Sequence, residues 1–180
     1  MSGADSIVRA TGEGEKRWFY GGGLHTWKAT AEETNNAFLC FEDHMTEGKM
    51  TPIHTHPEAD EVFYVLEGDI VVHIEGDERP IGPGGFALVA RGVPHAFLAT
   101  SEARMLCVQT PGDGQAFFRH ASDPASDDAI DGHVAITYDP KNDACLAPPT
   151  PPGPPTPEGG GGAAPGGAAV AVISQPNFTG

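Results

Sequence analysis

An all-β fold, a sandwich or a barrel, is what this chain predicts, and three observations carry it. Between Trp18 and Tyr138 the apolar residues recur with a period of two rather than 3.6; the runs are strand length; and glycine, proline or acidic turns bound them.

Taken in order, the runs are LHTWKA from Leu24, AFLCFEDHM from Ala37, EVFYVLEG from Glu61 and DIVVHIEG from Asp69. GFALVA from Gly85, HAFLAT from His95, ARMLCVQT from Ala103 and QAFFRHA from Gln115 follow, and all are read as strands. Glu67-Gly68-Asp69 divides two runs as a tight hairpin turn does, with glycine supplying a positive φ, and Pro83-Gly84-Gly85 presets a second turn. Sequential strands are therefore expected to be mostly antiparallel neighbours. Helix has few places to sit. ATAEETNN around Ala31 and DPASDDAI around Asp123 hold at most a turn or two, because both are rich in residues that favour caps and loops.

The organisation that follows is an N-terminal arm (1–17), a β domain (18–121), an acidic segment (122–143) and a tail (144–180). From Ala144 onward proline, glycine and alanine dominate, so too little surface can be buried to offset chain entropy, and the tail is expected to be disordered. The apolar patch Ala168 to Ile173 falls far short of the ~20 residues a membrane span needs. The first residues lack the apolar stretch of a secretory signal, which makes the cytoplasm the expected location. Three cysteines (Cys40, Cys107, Cys145) without metal-type or redox-type spacing agree with a reducing compartment.

The formal net charge is −15, and only one acid, Glu158, lies beyond residue 143, so nearly all of it belongs to the folded part. Such a field repels phosphate backbones and anionic lipid, which excludes nucleic acid and membrane surfaces as expected partners. No glycine-rich phosphate loop, supported Ser-His-Asp pattern or DNA-binding helix pair is present.

One stretch stands apart. GKMTPIHTHPEADEVFYVLEG, Gly48 to Gly68, sets two histidines one residue apart and a glutamate at the head of an apolar strand. In an extended segment His54 and His56 project to the same face, and Pro52 and Pro57 keep the residues before them out of helix. In the following strand Glu61 shares a face with Phe63 and Val65, whereas Asp60 points the other way and Glu58 sits in the proline turn. Glu61 is therefore preferred to either neighbour. His95, after Gly92-Val93-Pro94, opens a strand whose inward face also carries Phe97. Three neutral imidazoles and one carboxylate suit a divalent Fe, Mn, Ni, Cu, Zn or Co ion, and coordination offsets the cost of burying these groups. Phe63 and Phe97 are candidate linings of a substrate pocket, ahead of Phe38 and Phe86. His25, His44, His73, His120 and His133 lack partners at ligand spacing and are expected at the surface or an interface. Cys40 and Cys107 are expected to be packing residues.

Gly48-x5-His54-x-His56-x4-Glu61-x6-Gly68 resembles the first cupin motif in full, and Gly92-x2-His95 resembles the core of the second. From about Trp18 to Arg119 the chain is similar to the small quercetin dioxygenase-like cupins, including WFYGGGL and PGDGQAFFRHAS. Ala90 and Ala99 depart from the second motif at positions that are not ligands. The resemblance implies a cupin jelly-roll β-barrel enclosing a divalent ion held by His54, His56, Glu61 and His95, often in a homodimer. It implies less about chemistry, since the family spans dioxygenases, isomerases, decarboxylases and proteins without catalysis. The leading expectation is a dioxygenase for a small enol, hydroxy-carbonyl or aromatic compound, with Glu61 accepting the substrate's proton. A non-catalytic small-molecule binder and a metal-dependent isomerase or lyase are the alternatives.

Overall fold

The computed structural model describes residues 6–130. Its strands are β1 (Glu15–Phe19), β2 (Leu24–Ala29), β3 (Leu39–Met45), β4 (Asp60–Glu67), β5 (Ile70–Ile74), β6 (Asp77–Ile81), β7 (Phe86–Val89), β8 (His95–Ala99), β9 (Ala103–Thr110) and β10 (Ser122–Pro124). A short helix, α1 (Gln115–His120), precedes β10. The strands form two antiparallel sheets, ordered β10-β1-β2-β3-β9-β4-β7 and β6-β5-β8. Phe41, Phe63 and Met105 of the larger sheet share one buried cluster with Ile70, Val72 and Phe97 of the smaller, which is the jelly-roll barrel expected. The tail, the end of the acidic segment, His133 and Cys145 lie outside the described residues.

Period-two alternation is plainest in β3, where Leu39, Phe41, Asp43 and Met45 are buried while Cys40, Glu42 and His44 are only partly so. In β4 the buried face is Glu61, Phe63 and Val65, as alternation requires. The register places Glu61 across from Gln109 on β9 and Val89 on β7, one row from Phe63 and Cys107.

The structure corrects several sequence expectations. The Glu67-Gly68-Asp69 turn is no hairpin: β4 and β5 belong to different sheets, so the chain crosses the barrel there. Gly68 does take a positive φ, 71°, and a Cβ on it would lie 2.1 Å from the Glu102 carbonyl oxygen. Close approach of this turn to the β8–β9 turn is what demands glycine. QAFFRHA is helical. Its buried residues are Gln115 and Phe118, three apart and thus on one helical face, and Arg119 and His120 complement the dipole in the last turn. The residues DERPI form the edge strand β6, whose largely exposed face and Pro80 hide the alternation.

Residues 49–54 belong to no named strand yet run antiparallel to β8. Ala99 N–H donates to the Lys49 carbonyl, Thr51 N–H to the Phe97 carbonyl, and His54 and His95 exchange both backbone bonds. This places His54 beside His95 inside the barrel.

Candidate metal centre

His54, His56, Glu61 and His95 meet. One ligand atom from each lies within 4.8 Å of all the others, and the group could hold a metal ion. His56, Glu61 and His95 are buried and His54 is half-buried. Asp60 instead points out and pairs with Arg91 (2.9 Å), and Glu58 is exposed.

The hydrogen bonds set the tautomers. His54 Nδ1 donates to the Pro52 carbonyl and His95 Nδ1 to the Val93 carbonyl, each at 2.9 Å, which turns both Nε2 atoms toward the centre. His95 Nε2 lies 2.9 Å from Glu61 Oε2 and His56 Nε2 lies 3.3 Å from the same oxygen. His56 Nε2 is buried and makes no hydrogen bond. With Nδ1 of His95 already donating, its Nε2 can face a carboxylate oxygen only as N–H or with a cation between them. A convergent set of imidazole lone pairs around one anionic oxygen fits a divalent cation on the chemistry of its donors.

The electrostatics agree. Burial, then the neighbouring His95 and His56, push His54 down to about 3, so it is neutral near pH 7 as a ligand must be. Burial alone would lower His95, but the bond and charge of Glu61 reverse that and raise it. Burial alone would raise Glu61; His56 and His95 outweigh it and hold the carboxyl well below the ordinary range. Glu61 Oε1 accepts from Cys107 Sγ at 3.3 Å, and burial followed by the Glu61 charge keeps that thiol protonated, well above its usual pKa.

A cavity of about 50 Å³ opens onto His54, His56 and Glu61. Phe63 and Phe97 line it; Phe38 and Phe86 do not, and are 39% and 60% exposed. It is also lined by residues that sequence reasoning missed. Asp43 and Lys49 form a buried ion pair, with Nζ 2.7 Å from Oδ1 and 2.5 Å from Oδ2. His25, expected at the surface or an interface, is 2% exposed and sandwiched between Phe19 and Phe41. Alternation was the available signal: Asp43 occupies the same strand face as Phe41 and Met45, and His25 the same face as Trp27.

Comparison with known proteins follows from this geometry. Residues 41–109 match the family model of the cupin domain. Quercetin 2,3-dioxygenase of Bacillus subtilis (strain 168) is 31% identical over 133 residues, which are 73% of this chain and 38% of that protein. The chain thus spans 38% of the length of the curated relative it matches. Among solved structures, the ectoine synthase of P. lautus is similar with a TM-score of 0.54 at 18% identity, over 72% of this chain and 96% of that one. A "predicted oxalate decarboxylase" from Thermotoga maritima is similar with a TM-score of 0.53 at 23% identity, over 59% of this chain and 99% of that one. At these identities the likeness is one of fold.

Proposed function

We propose, from the match of residues 41–109 to the family model of the cupin domain, that the chain is a metal-dependent dioxygenase acting on a small enol, hydroxy-carbonyl or aromatic compound. The observation that carries the reading is the convergence of His54, His56, Glu61 and His95 within 4.8 Å at the wall of an apolar-lined cavity. Likeness to a quercetin 2,3-dioxygenase supports the oxygenase chemistry over the isomerase or lyase alternatives. An Fe, Mn, Ni, Cu, Zn or Co ion held there would supply Lewis acidity and a template for substrate and oxygen.

The chain's own residues do the rest. Phe63 and Phe97 pack the substrate body and keep water out, which strengthens every charge interaction at the centre. Glu61 accepts the substrate's hydroxyl proton at Oε1, the oxygen whose partner is the weak donor Cys107 Sγ.

A homodimer in the cytoplasm is part of the same proposal. Among the described helices none is long and apolar enough to cross a membrane. Tyr64, Phe86 and Leu88 are 41%, 60% and 57% exposed, and Tyr64 pairs with Phe86 on the outer face of β4 and β7. Phe86→Glu with Leu88→Glu is expected to halve the mass in light scattering; an unchanged mass removes this face as the contact.

Elemental analysis of the purified protein, followed by oxygen uptake with catechols, flavonols and β-diketones, tests the function. Uptake with turnover, lost in Glu61→Gln, is expected. Binding without turnover, or product formed without oxygen, would assign the protein to a binder or to a non-oxidative enzyme.

A further inference from the structure

Besides three of the metal ligands, the polar side chains His25, Asp43 and Lys49 line the cavity. The His25 ring is stacked on Phe19 with centroids 4.5 Å apart and on Phe41 with centroids 4.4 Å apart, at interplanar angles of 20° and 23°. Both ring faces are therefore covered, and only the edge with its two nitrogens meets anything polar. Nε2 faces Asp43 Oδ2 at 3.5 Å. Nδ1 is buried without a hydrogen-bond partner.

Asp43 sets which nitrogen carries the proton. Lys49, bonded to both carboxylate oxygens, keeps Asp43 anionic, so the nitrogen that faces Asp43 must be N–H. Neutral His25 then presents a bare lone pair at Nδ1. Gly23 seals the pair from the other side: a Cβ there would lie 2.9 Å from Lys49 Nζ and 3.0 Å from Asp43 Oδ1. His25, Asp43 and Lys49 all line the cavity that also reaches His54, His56 and Glu61.

We propose that His25 Nδ1 is a second recognition point for the substrate, accepting a hydrogen bond from a hydroxyl group remote from the oxygens at the metal ligands. The substrate class is thereby narrowed to small enols or phenols that carry a further hydroxyl. Asp43 and Lys49 are positioning residues, acting through the tautomer of His25. This inference rests on the reading that the metal ligands take the substrate's other oxygens. Phe19, Phe41 and Phe118 supply carbon to the same lining, and the Asp43 oxygens are taken up by Lys49. A substrate hydroxyl satisfies Nδ1 without uncovering the rings.

The test uses the metal-loaded full chain and two matched probes, 4-(hydroxymethyl)catechol and 4-ethylcatechol, in titration calorimetry. Wild type is expected to bind the hydroxymethyl probe at least ~10-fold more tightly. His25→Phe should abolish that preference while metal content is kept. Because Lys49→Met alone leaves a buried charge unpaired, the second variant is the double Asp43→Leu/Lys49→Met, which releases the tautomer and should reduce the preference with the fold intact. Equal binding of the two probes by wild type, or a preference that survives both variants, overturns the inference while leaving the metal-site reading standing. If metal-loaded wild type binds neither probe nor catechol, the functional reading fails, and this inference falls with it.

Discussion

Lys49→Met removes an ammonium from a carboxylate that has nowhere else to turn. The two side chains are 2% and 3% exposed and their closest approach is 2.5 Å, so the pair has almost no water to fall back on. Burial alone would raise the Asp43 carboxyl, but Lys49 and then His25 more than reverse this and hold it at about 2 against a usual 3.8. Burial dominates at Lys49 and lowers its pKa, so the two shifts oppose and the carboxyl's shift is no net gain for the pair. The variant's cost is that of leaving the carboxylate buried alone, about 3–5 kcal/mol. At ~4 °C per kcal/mol for a domain of this size, the thermal midpoint should drop by roughly 12–20 °C at pH 7. The double variant Asp43→Leu/Lys49→Met should recover at least half of that, since neither charge remains to be solvated. The sign with pH is fixed as well. A depressed carboxyl pKa stabilises above the unfolded value and is lost as pH falls through the folded value, so the gap between wild type and Lys49→Met should close as pH approaches about 2. Paired thermal and urea unfolding measures all of this. A single-variant cost below about 1 kcal/mol, or a double variant no better than the single, would refute the dry ion pair.

Metal-depleted protein should lose stability below pH 6.5. His54 is held at about 3 while its unfolded counterpart takes a proton near 6.5, so the unfolded state binds more protons as acid is added, worth up to ~1.4 kcal/mol per pH unit. His54→Gln should flatten urea-derived stability between about pH 6 and 4 by that slope, and an unaltered slope counts against it. Cys40, raised by burial and Glu42 to about 11, and Cys107, raised well above its usual value, should resist alkylation at pH 8 until the protein unfolds. Peptide mapping after iodoacetamide gives the answer; rapid native labelling at Cys107 would contradict its burial. Gly68→Ala must place a Cβ 2.1 Å from the Glu102 carbonyl at a φ of 71° and should cost more than about 2 kcal/mol in chemical unfolding.

Where a strand has one wet face and one dry face, period two is visible in the text, and β3, β4 and β9 were legible for that reason. β6 was illegible because an edge strand with an exposed proline carries no apolar stripe. α1 was misread because Phe117 and Phe118 are adjacent, which neither period explains; what separates the cases is that Gln115 and Phe118 share a buried face. Strand order lay further out of reach. A turn such as Glu67-Gly68-Asp69 reports a reversal of direction, and a chain that pairs back on itself and one that crosses to the opposite sheet can use the same three residues.

The two polar clusters differ in legibility for a physical reason. The metal ligands come from a short stretch plus His95, and three of them stand within eight residues of one another because one extended segment and the next strand deliver them directly. His25, Asp43 and Lys49 come from β2, β3 and the segment beside β8, and nothing in their spacing betrays a meeting. What sequence does hold is a violation: an aspartate and a histidine on strand faces otherwise given to Phe41, Met45 and Trp27. A buried carboxylate requires a cation and a buried imidazole requires a partner at each nitrogen. On that face Asp43 calls for a cation or hydrogen-bond donors inside the barrel, which Lys49 supplies, and the His25 nitrogen without a partner is the part of the requirement that a substrate is proposed to meet.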